Sequence, residues 1–136
     1  MFSGKSGKPS SKIDTLVGVG TRIEGDIVFS GGLRVDGTIR GNVTADPAKP
    51  STLTLTESAT IEGRIEVAHL IANGVITGSV VALESCELQP SARITGDIHY
   101  GSMEIHLGAL VHGHLRHHGQ NAAAKTGSLK LAASNT

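Results

Sequence analysis

The five residues Ile61-Glu62-Gly63-Arg64-Ile65 show a pattern that occurs six times in this 136-residue chain and indicates its fold. In every copy a glycine stands between two polar residues, and Ile, Val or Leu occupies both outer positions. The other copies are residues 23–27, 39–43, 76–80, 94–98 and 111–115. Alternation of apolar and polar residues is typical of a strand that is buried on one face, and the central glycine permits a sharp bend.

The spacing of the copies indicates how they are arranged in space. Successive glycines of the pattern are 16, 22, 15, 18 and 17 residues apart. A repeat of this length with strand-type alternation is typical of a solenoid, in which each copy forms one coil. The composition is 38% hydrophobic but only 2% aromatic, as expected for a thin tube filled with aliphatic side chains. We therefore predict an all-β, single-domain β-solenoid of about six coils, roughly 29 Å long at ~4.8 Å per coil.

Two departures from the repeat have simple interpretations. The longest interval contains Asp46-Pro47-Ala48-Lys49-Pro50, and two prolines exclude a central strand, so we expect a surface loop at a corner of the coil. The single cysteine, Cys86, occupies the repeat position of Leu53 and Met103. It is therefore predicted to be a small core residue, and a lone cysteine cannot form an internal disulfide.

The charges divide the chain into three parts. Residues 1–12 carry three lysines and no acid, residues 116–136 carry three basic residues and no acid, and both tails are expected to be disordered. The core, residues 13–115, holds six Lys or Arg and twelve Asp or Glu, a balance of 6 − 12 = −6. An acidic core argues against nucleic acid as the main partner, because phosphate binding needs a basic face.

Apolar runs and cysteine usage bear on the compartment. No apolar run approaches the ~18 residues of a membrane span, and the chain does not begin with a secretory signal peptide. With the lone cysteine, these features favour a cytoplasmic protein. No glycine-rich loop precedes a helix, so we expect neither a nucleotide nor another cofactor.

The repeat begins and ends without an obvious capping element. Open strand edges above an apolar core are templates for pairing with another chain, which predicts end-to-end self-association. The alternative left open is that the tails fold back as caps. The predicted filament interface consists of apolar residues in the first and last coils, namely Ile13, Leu16, Val17, Val19, Met103, Ile105, Val111 and Leu115.

The last third of the chain also supports an enzymatic alternative. It holds six of the seven histidines, at positions 99, 106, 112, 114, 117 and 118. Three convergent imidazoles could bind zinc, as in a left-handed β-helix enzyme of the carbonic-anhydrase type. However, left-handed β-helices of this type keep a strict six-residue period, which the irregular spacing here breaks. No Ser-His-Asp or paired-carboxylate pattern is present either, so we predict no enzymatic activity and no metal.

The repeat region resembles the bactofilins, a family of bacterial cytoskeletal proteins. The resemblance lies in residues 13–18, residues 23–27, Gly31-Gly32-Leu33-Arg34-Val35-Asp36-Gly37 and residues 96–100, and it covers about residues 13–115. It implies a right-handed parallel β-helix that polymerises without nucleotide into non-polar filaments. It also implies association with the inner face of the cytoplasmic membrane and a scaffolding role for cell shape or cell-wall enzymes.

The N-terminal tail is the predicted membrane-binding segment. Met1-Phe2-Ser3 followed by lysines resembles a membrane-targeting tail found in part of that family, and the predicted contacts are Met1, Phe2, Lys5 and Lys8. Burial of Phe2 would supply ~2 kcal/mol, and each lysine ~1 kcal/mol on an anionic membrane. The alternative is a solvated linker without a binding role.

Overall fold

The structure, a computed structural model, describes residues 12–117, and within this range it contains fifteen β-strands and no helix. The strands are β1 (Thr15–Val17), β2 (Arg22–Glu24), β3 (Ile27–Phe29), β4 (Gly31–Val35), β5 (Thr38–Arg40), β6 (Val43–Ala45), β7 (Ser51–Leu55), β8 (Thr60–Glu62), β9 (Ile65–Ala72), β10 (Val75–Thr77), β11 (Val80–Leu88), β12 (Arg93–Thr95), β13 (Ile98–Ile105), β14 (Leu110–His112) and β15 (Leu115–His117). The predicted tails lie almost entirely outside this range.

The strands wind into six coils with three faces. The first face consists of β1, β4, β7 and the later parts of β9, β11 and β13, and the second face of β2, β5, β8, β10, β12 and β14. The third face consists of β3, β6, the early parts of β9, β11 and β13, and β15. All neighbouring strands are parallel, and equivalent residues of successive coils face each other. The predicted all-β solenoid of about six coils is confirmed.

The aliphatic residues of the repeated pattern fill the tube. Ile39, Ile61, Ile76 and Ile94 form one column on the second face, and each is 0% exposed. Cys86 is buried in the column of the first face between Leu70 and Met103, as predicted. Burial raises the pKa of its thiol to about 12, so the side chain behaves as a small apolar group.

The central glycines form a second column at the corner between the second and third faces. Gly63 has φ of 149°, and a Cβ added to it would lie 2.1 Å from the carbonyl oxygen of Gly41 in the preceding coil. The same contact recurs at Gly41, Gly78, Gly96 and Gly113. Glycine is therefore needed at these positions for two reasons: its φ is one that L-residues avoid, and the backbones of two coils approach each other closely there.

The outward residues also stack in rows, and the bonds between their members differ from one row to the other. Arg40 forms an ion pair with Glu62 of the next coil at 3.7 Å; both are exposed, so its contribution to stability is small. In the row after the glycines, Asp26 Oδ1 instead accepts a hydrogen bond from the Asn42 backbone N–H at 2.9 Å. Asn42 Oδ1 accepts from the Arg64 N–H in the same way. At these two steps the row joins a side chain to the backbone of the next coil instead of pairing opposite charges.

The corner between the third and first faces varies most along the rod. Residues 46–50 connect β6 to β7 as an exposed loop, which confirms the interpretation of the two prolines. In the later coils the corner is crossed by continuous strands, and β11 carries a register shift between Ala82 and Ser85. Beside it, the buried His69 places Nδ1 2.7 Å from Ser85 Oγ. Burial lowers the pKa of His69, and the nearby Glu84 opposes this shift.

Candidate assembly ends

The first coil leaves apolar side chains in contact with solvent. Ile13 is 51% exposed, Leu16 is 58% exposed, and Val19, in the turn between β1 and β2, is 76% exposed. Val17 is only 5% exposed and belongs to the core of this coil, so it lies behind the other predicted interface residues of the first coil.

The last coil has the same character. Ile105 is 48% exposed and Leu115 is 41% exposed, while Met103 and Val111 are half-buried. Leu115 continues a column whose previous members, Ile65, Val80 and Ile98, are 0% exposed. Its exposure therefore follows from its position at the end of the stack and not from a change in residue type.

Backbone groups are also left at both ends. Among the described residues, no strand pairs with the outer edges of β2 and β14, which end the six-stranded sheet. The later part of β13 pairs with β11 on one side only. Unpaired N–H and C=O groups of this kind can accept a further strand. The ends combine open backbone groups with aliphatic side chains, which is the chemistry of a self-association surface.

Sequence reasoning missed several residues of these ends. Ile23 and Ile27 are half-buried at the first coil, and Leu110 is 49% exposed at the last coil. Leu107, in the turn before β14, is 97% exposed. Counting the copies of the pattern would have found Ile23 and Ile27, because residues 23–27 are its first copy.

The histidines do not assemble as the zinc alternative requires. His112 and His114 are exposed on either side of Gly113, and His114 Nδ1 lies 3.2 Å from Asp97 Oδ1. His117 packs edge-on against Tyr100, with ring centroids 5.6 Å apart. His118 lies outside the described residues. The imidazoles of the described last coil thus have separate neighbours and do not share one centre.

One histidine does meet two carboxylates. His106 Nε2 lies 3.1 Å from Glu87 Oε2 and 3.1 Å from Glu104 Oε2, and the ligand atoms of the three side chains lie within 4.8 Å of one another. Gln89 Nε2 also donates to Glu87 Oε2 at 2.8 Å. The group sits on the open surface of the first face, with Glu104 side chain 67% exposed.

The predicted membrane contacts Met1, Phe2, Lys5 and Lys8 all lie outside the described residues. Between residues 12 and 117 there is no helix of the length and apolarity that crossing a bilayer demands.

Comparison with known proteins connects these ends to a family. The family model of the bactofilins, described as polymer-forming cytoskeletal, matches residues 15–116, which span the six coils. The chain belongs to the bactofilin family. It is 32% identical over 99 residues to bactofilin BacP of Myxococcus xanthus (strain DK1622), an alignment covering 72% of this chain and 40% of BacP. It is 29% identical over 85 residues to bactofilin BacO of the same strain, covering 62% of this chain and 64% of BacO.

The family relation carries a general role. Bactofilins form cytoskeletal polymers, and the open ends of this bactofilin rod fit self-association. The aligned region spans less than two thirds of the length of either BacP or BacO. No solved structure matches the chain.

Proposed function

We propose that this bactofilin polymerises end to end, without nucleotide, into non-polar filaments on the inner face of the cytoplasmic membrane. The filaments scaffold cell-wall enzymes or other machinery of cell shape. The observation that carries the proposal is the loss of burial at the terminal members of otherwise fully buried columns, such as Leu115 after Ile98.

The driving force is local to the ends. Joining two ends removes aliphatic surface from water, which contributes roughly 25 cal/mol for each Å² buried. It also gives the unpaired backbone groups of the edge strands hydrogen-bond partners. Both contributions are available to the folded chain itself, so assembly needs no nucleotide. The proposed interface is Ile13, Leu16, Val19, Met103, Ile105, Val111 and Leu115, with Val17 supporting it from the core.

The membrane part of the proposal rests on the N-terminal segment. Met1 and Phe2 would insert, and Lys5 and Lys8 would contact anionic headgroups, each lysine contributing ~1 kcal/mol. A single tail of this kind binds marginally, whereas a filament presents many tails and gains affinity through effective concentration. This coupling makes membrane binding a property of the polymer.

Charges placed at an end test the assembly model. Val111→Arg and Leu115→Arg would bury an unpaired cation in the junction, which costs several kcal/mol, while in a free rod the arginine reaches water. We expect both variants to stay folded by circular dichroism and to sediment as small species. Thr95→Arg, on the exposed outward side of β12, is the matched control and should form filaments in negative-stain electron microscopy. Filaments from both end variants would exclude the end-to-end model.

Two further experiments test the remaining parts. In non-polar filaments like ends meet, so a cysteine introduced as His112→Cys should be cross-linked to its own copy by a short bis-maleimide, with the buried Cys86 giving little background. A head-to-tail filament would place position 112 against the first coil, which has no cysteine, and would give no such cross-link. For the membrane, flotation with anionic vesicles separates bound protein from free filaments, which pellet by themselves. Deletion of residues 1–8 should remove the protein from the floating fraction, with filaments retained. Equal flotation of both proteins would exclude the tail as the anchor.

A further inference from the structure

A cavity of about 300 Å³ opens on the outward side of the first face, close to where the described chain begins. Its floor is a row across β4, β7 and β9, formed by Arg34, Thr54 and Ile71. Thr52 and Thr56 line it on either side, and Lys12 and Ile13 form its N-terminal wall. The cavity thus combines aliphatic side chains and threonine methyl groups with two cations, Arg34 in its floor and Lys12 in its wall.

The path of residues 12–14 leads the chain onto this face. The Asp14 N–H donates to the Gly32 carbonyl at 2.8 Å, and the Gly32 N–H donates to Asp14 Oδ2 at 2.9 Å. A Cβ on Gly32 would lie 1.9 Å from the Lys12 carbonyl oxygen, so the backbone of Lys12 lies directly against that glycine. The N-terminal segment therefore reaches the described part of the rod beside the cavity, at a fixed position on the first face.

From this placement we propose that the cavity takes the side chain of Phe2 from the same chain. Among residues 1–11 the apolar side chains are Met1 and Phe2, while the others are Gly, Ser, Lys and Pro. Nine residues separate Phe2 from Lys12, an extended length of about 30 Å, which is ample to return to a cavity that begins at Lys12 itself. The two glycines and four serines of this connection permit the turn.

The cavity suits an aromatic ring. Ile71 and the threonine methyl groups offer apolar contact, and the guanidinium of Arg34 can lie over the ring face. Arg34 already forms an ion pair with Asp36 at 3.1 Å, so its charge is balanced within the protein and does not require an anionic ligand. A neutral ring is therefore a better occupant than a phosphate or a carboxylate.

The consequence, which rests on the proposed membrane function, is competition for one residue. A docked Phe2 cannot enter a bilayer, so the rod would restrain its own membrane segment. If the tail is docked nine-tenths of the time, its apparent affinity for the membrane falls about tenfold. Vesicle binding would then require release of Phe2 from the first face.

A single tryptophan tests docking without any membrane. The chain contains no tryptophan, so full-length protein with Phe2→Trp has one emitting indole. We expect its emission to be blue-shifted and protected from iodide in the absence of lipid. Ile71→Gln should return both properties to those of a solvated tail. Val81→Gln is the matched control, because Val81 is an outward, half-buried aliphatic residue on the third face.

Each outcome decides between docking and its alternatives. A red-shifted, quenchable indole in the parent protein, or an Ile71→Gln variant without effect, would overturn the proposal. A shift that grows with protein concentration would also overturn it and indicate docking between chains. Vesicles of phosphatidylcholine and phosphatidylglycerol form the second arm, in which Ile71→Gln should bind several-fold more tightly than Val81→Gln. If neither variant binds vesicles while the fluorescence results hold, the membrane proposal fails and docking stands.

Discussion

The glycine column permits a quantitative test of how the coils are held together. Gly63 belongs to a coil that has neighbouring coils on both sides, and a Cβ added to it would lie 2.1 Å from the Gly41 carbonyl oxygen. Gly25 has the same place in the first coil and a similar φ, 138° against 149°. Nothing lies within 4 Å of its added Cβ, because no coil precedes it among the described residues. The pair Gly25→Ala and Gly63→Ala therefore separates the cost of backbone conformation from the cost of close approach.

The expected difference follows from the contacts around Gly63. Both variants place alanine at a φ that L-residues avoid, which costs about 1–3 kcal/mol. Gly63→Ala must also move the coil that contains Gly63 away from the coil that contains Gly41 at this corner. Two hydrogen bonds flank the contact there, from Gly41 N–H to Glu62 O at 2.9 Å and from Val43 N–H to Arg64 O at 2.8 Å. Their weakening together with overpacking adds on the order of 2–3 kcal/mol.

The measurement is the unfolding midpoint by far-ultraviolet circular dichroism. A difference of 2–3 kcal/mol corresponds to a Tm for Gly63→Ala about 10–20 °C below that of Gly25→Ala in a domain of this size. The series is repeated at several protein concentrations, because assembly of folded rods raises the apparent Tm. Equal midpoints for the two variants would refute the reasoning and leave conformation as the sole reason for glycine.

Three further predictions concern the core and the loop. Burial lowers the pKa of His69 below its usual 6.5, so the unfolded chain binds the imidazole proton more tightly than the folded chain does. The contribution of neutral His69 to stability should therefore be complete above about pH 6.5 and be lost as the pH falls below that value. The urea midpoint of His69→Gln should fall less steeply with decreasing pH than that of the parent protein. The same pH dependence of the urea midpoint in the parent protein and in His69→Gln would contradict this role of His69. Cys86, with its pKa raised to about 12, should react with iodoacetamide slowly in native protein and rapidly in urea, whereas fast native labelling would contradict its burial. Replacing residues 46–50 by a single glycine should change the free energy of unfolding by less than about 1 kcal/mol, since the later coils turn this corner without a loop, and a larger loss would show that the loop contributes packing.

The length of each coil and the side chains that point inward could both be predicted from the amino-acid sequence. The pattern around Gly63 is local: alternation tells which residues point inward, and the spacing of the glycines tells how long each coil is. Ile61 and Ile65 were therefore placed in the core without knowledge of any partner, and both are 0% exposed. The loop at residues 46–50 was equally readable, because proline excludes a central strand wherever it stands.

Features that depend on the neighbouring coil could be seen only in the folded structure. Val17 and Leu115 are both aliphatic members of terminal coils, yet one is buried and the other is 41% exposed. The meeting of His106 with Glu87, 19 residues earlier in the chain, likewise needed the register of the stack. Inward and outward are properties of a single strand, which a short sequence encodes. Burial, contacts between coils and the position of an open end are properties of the stacked coils, and they arise only when the coils pack against one another.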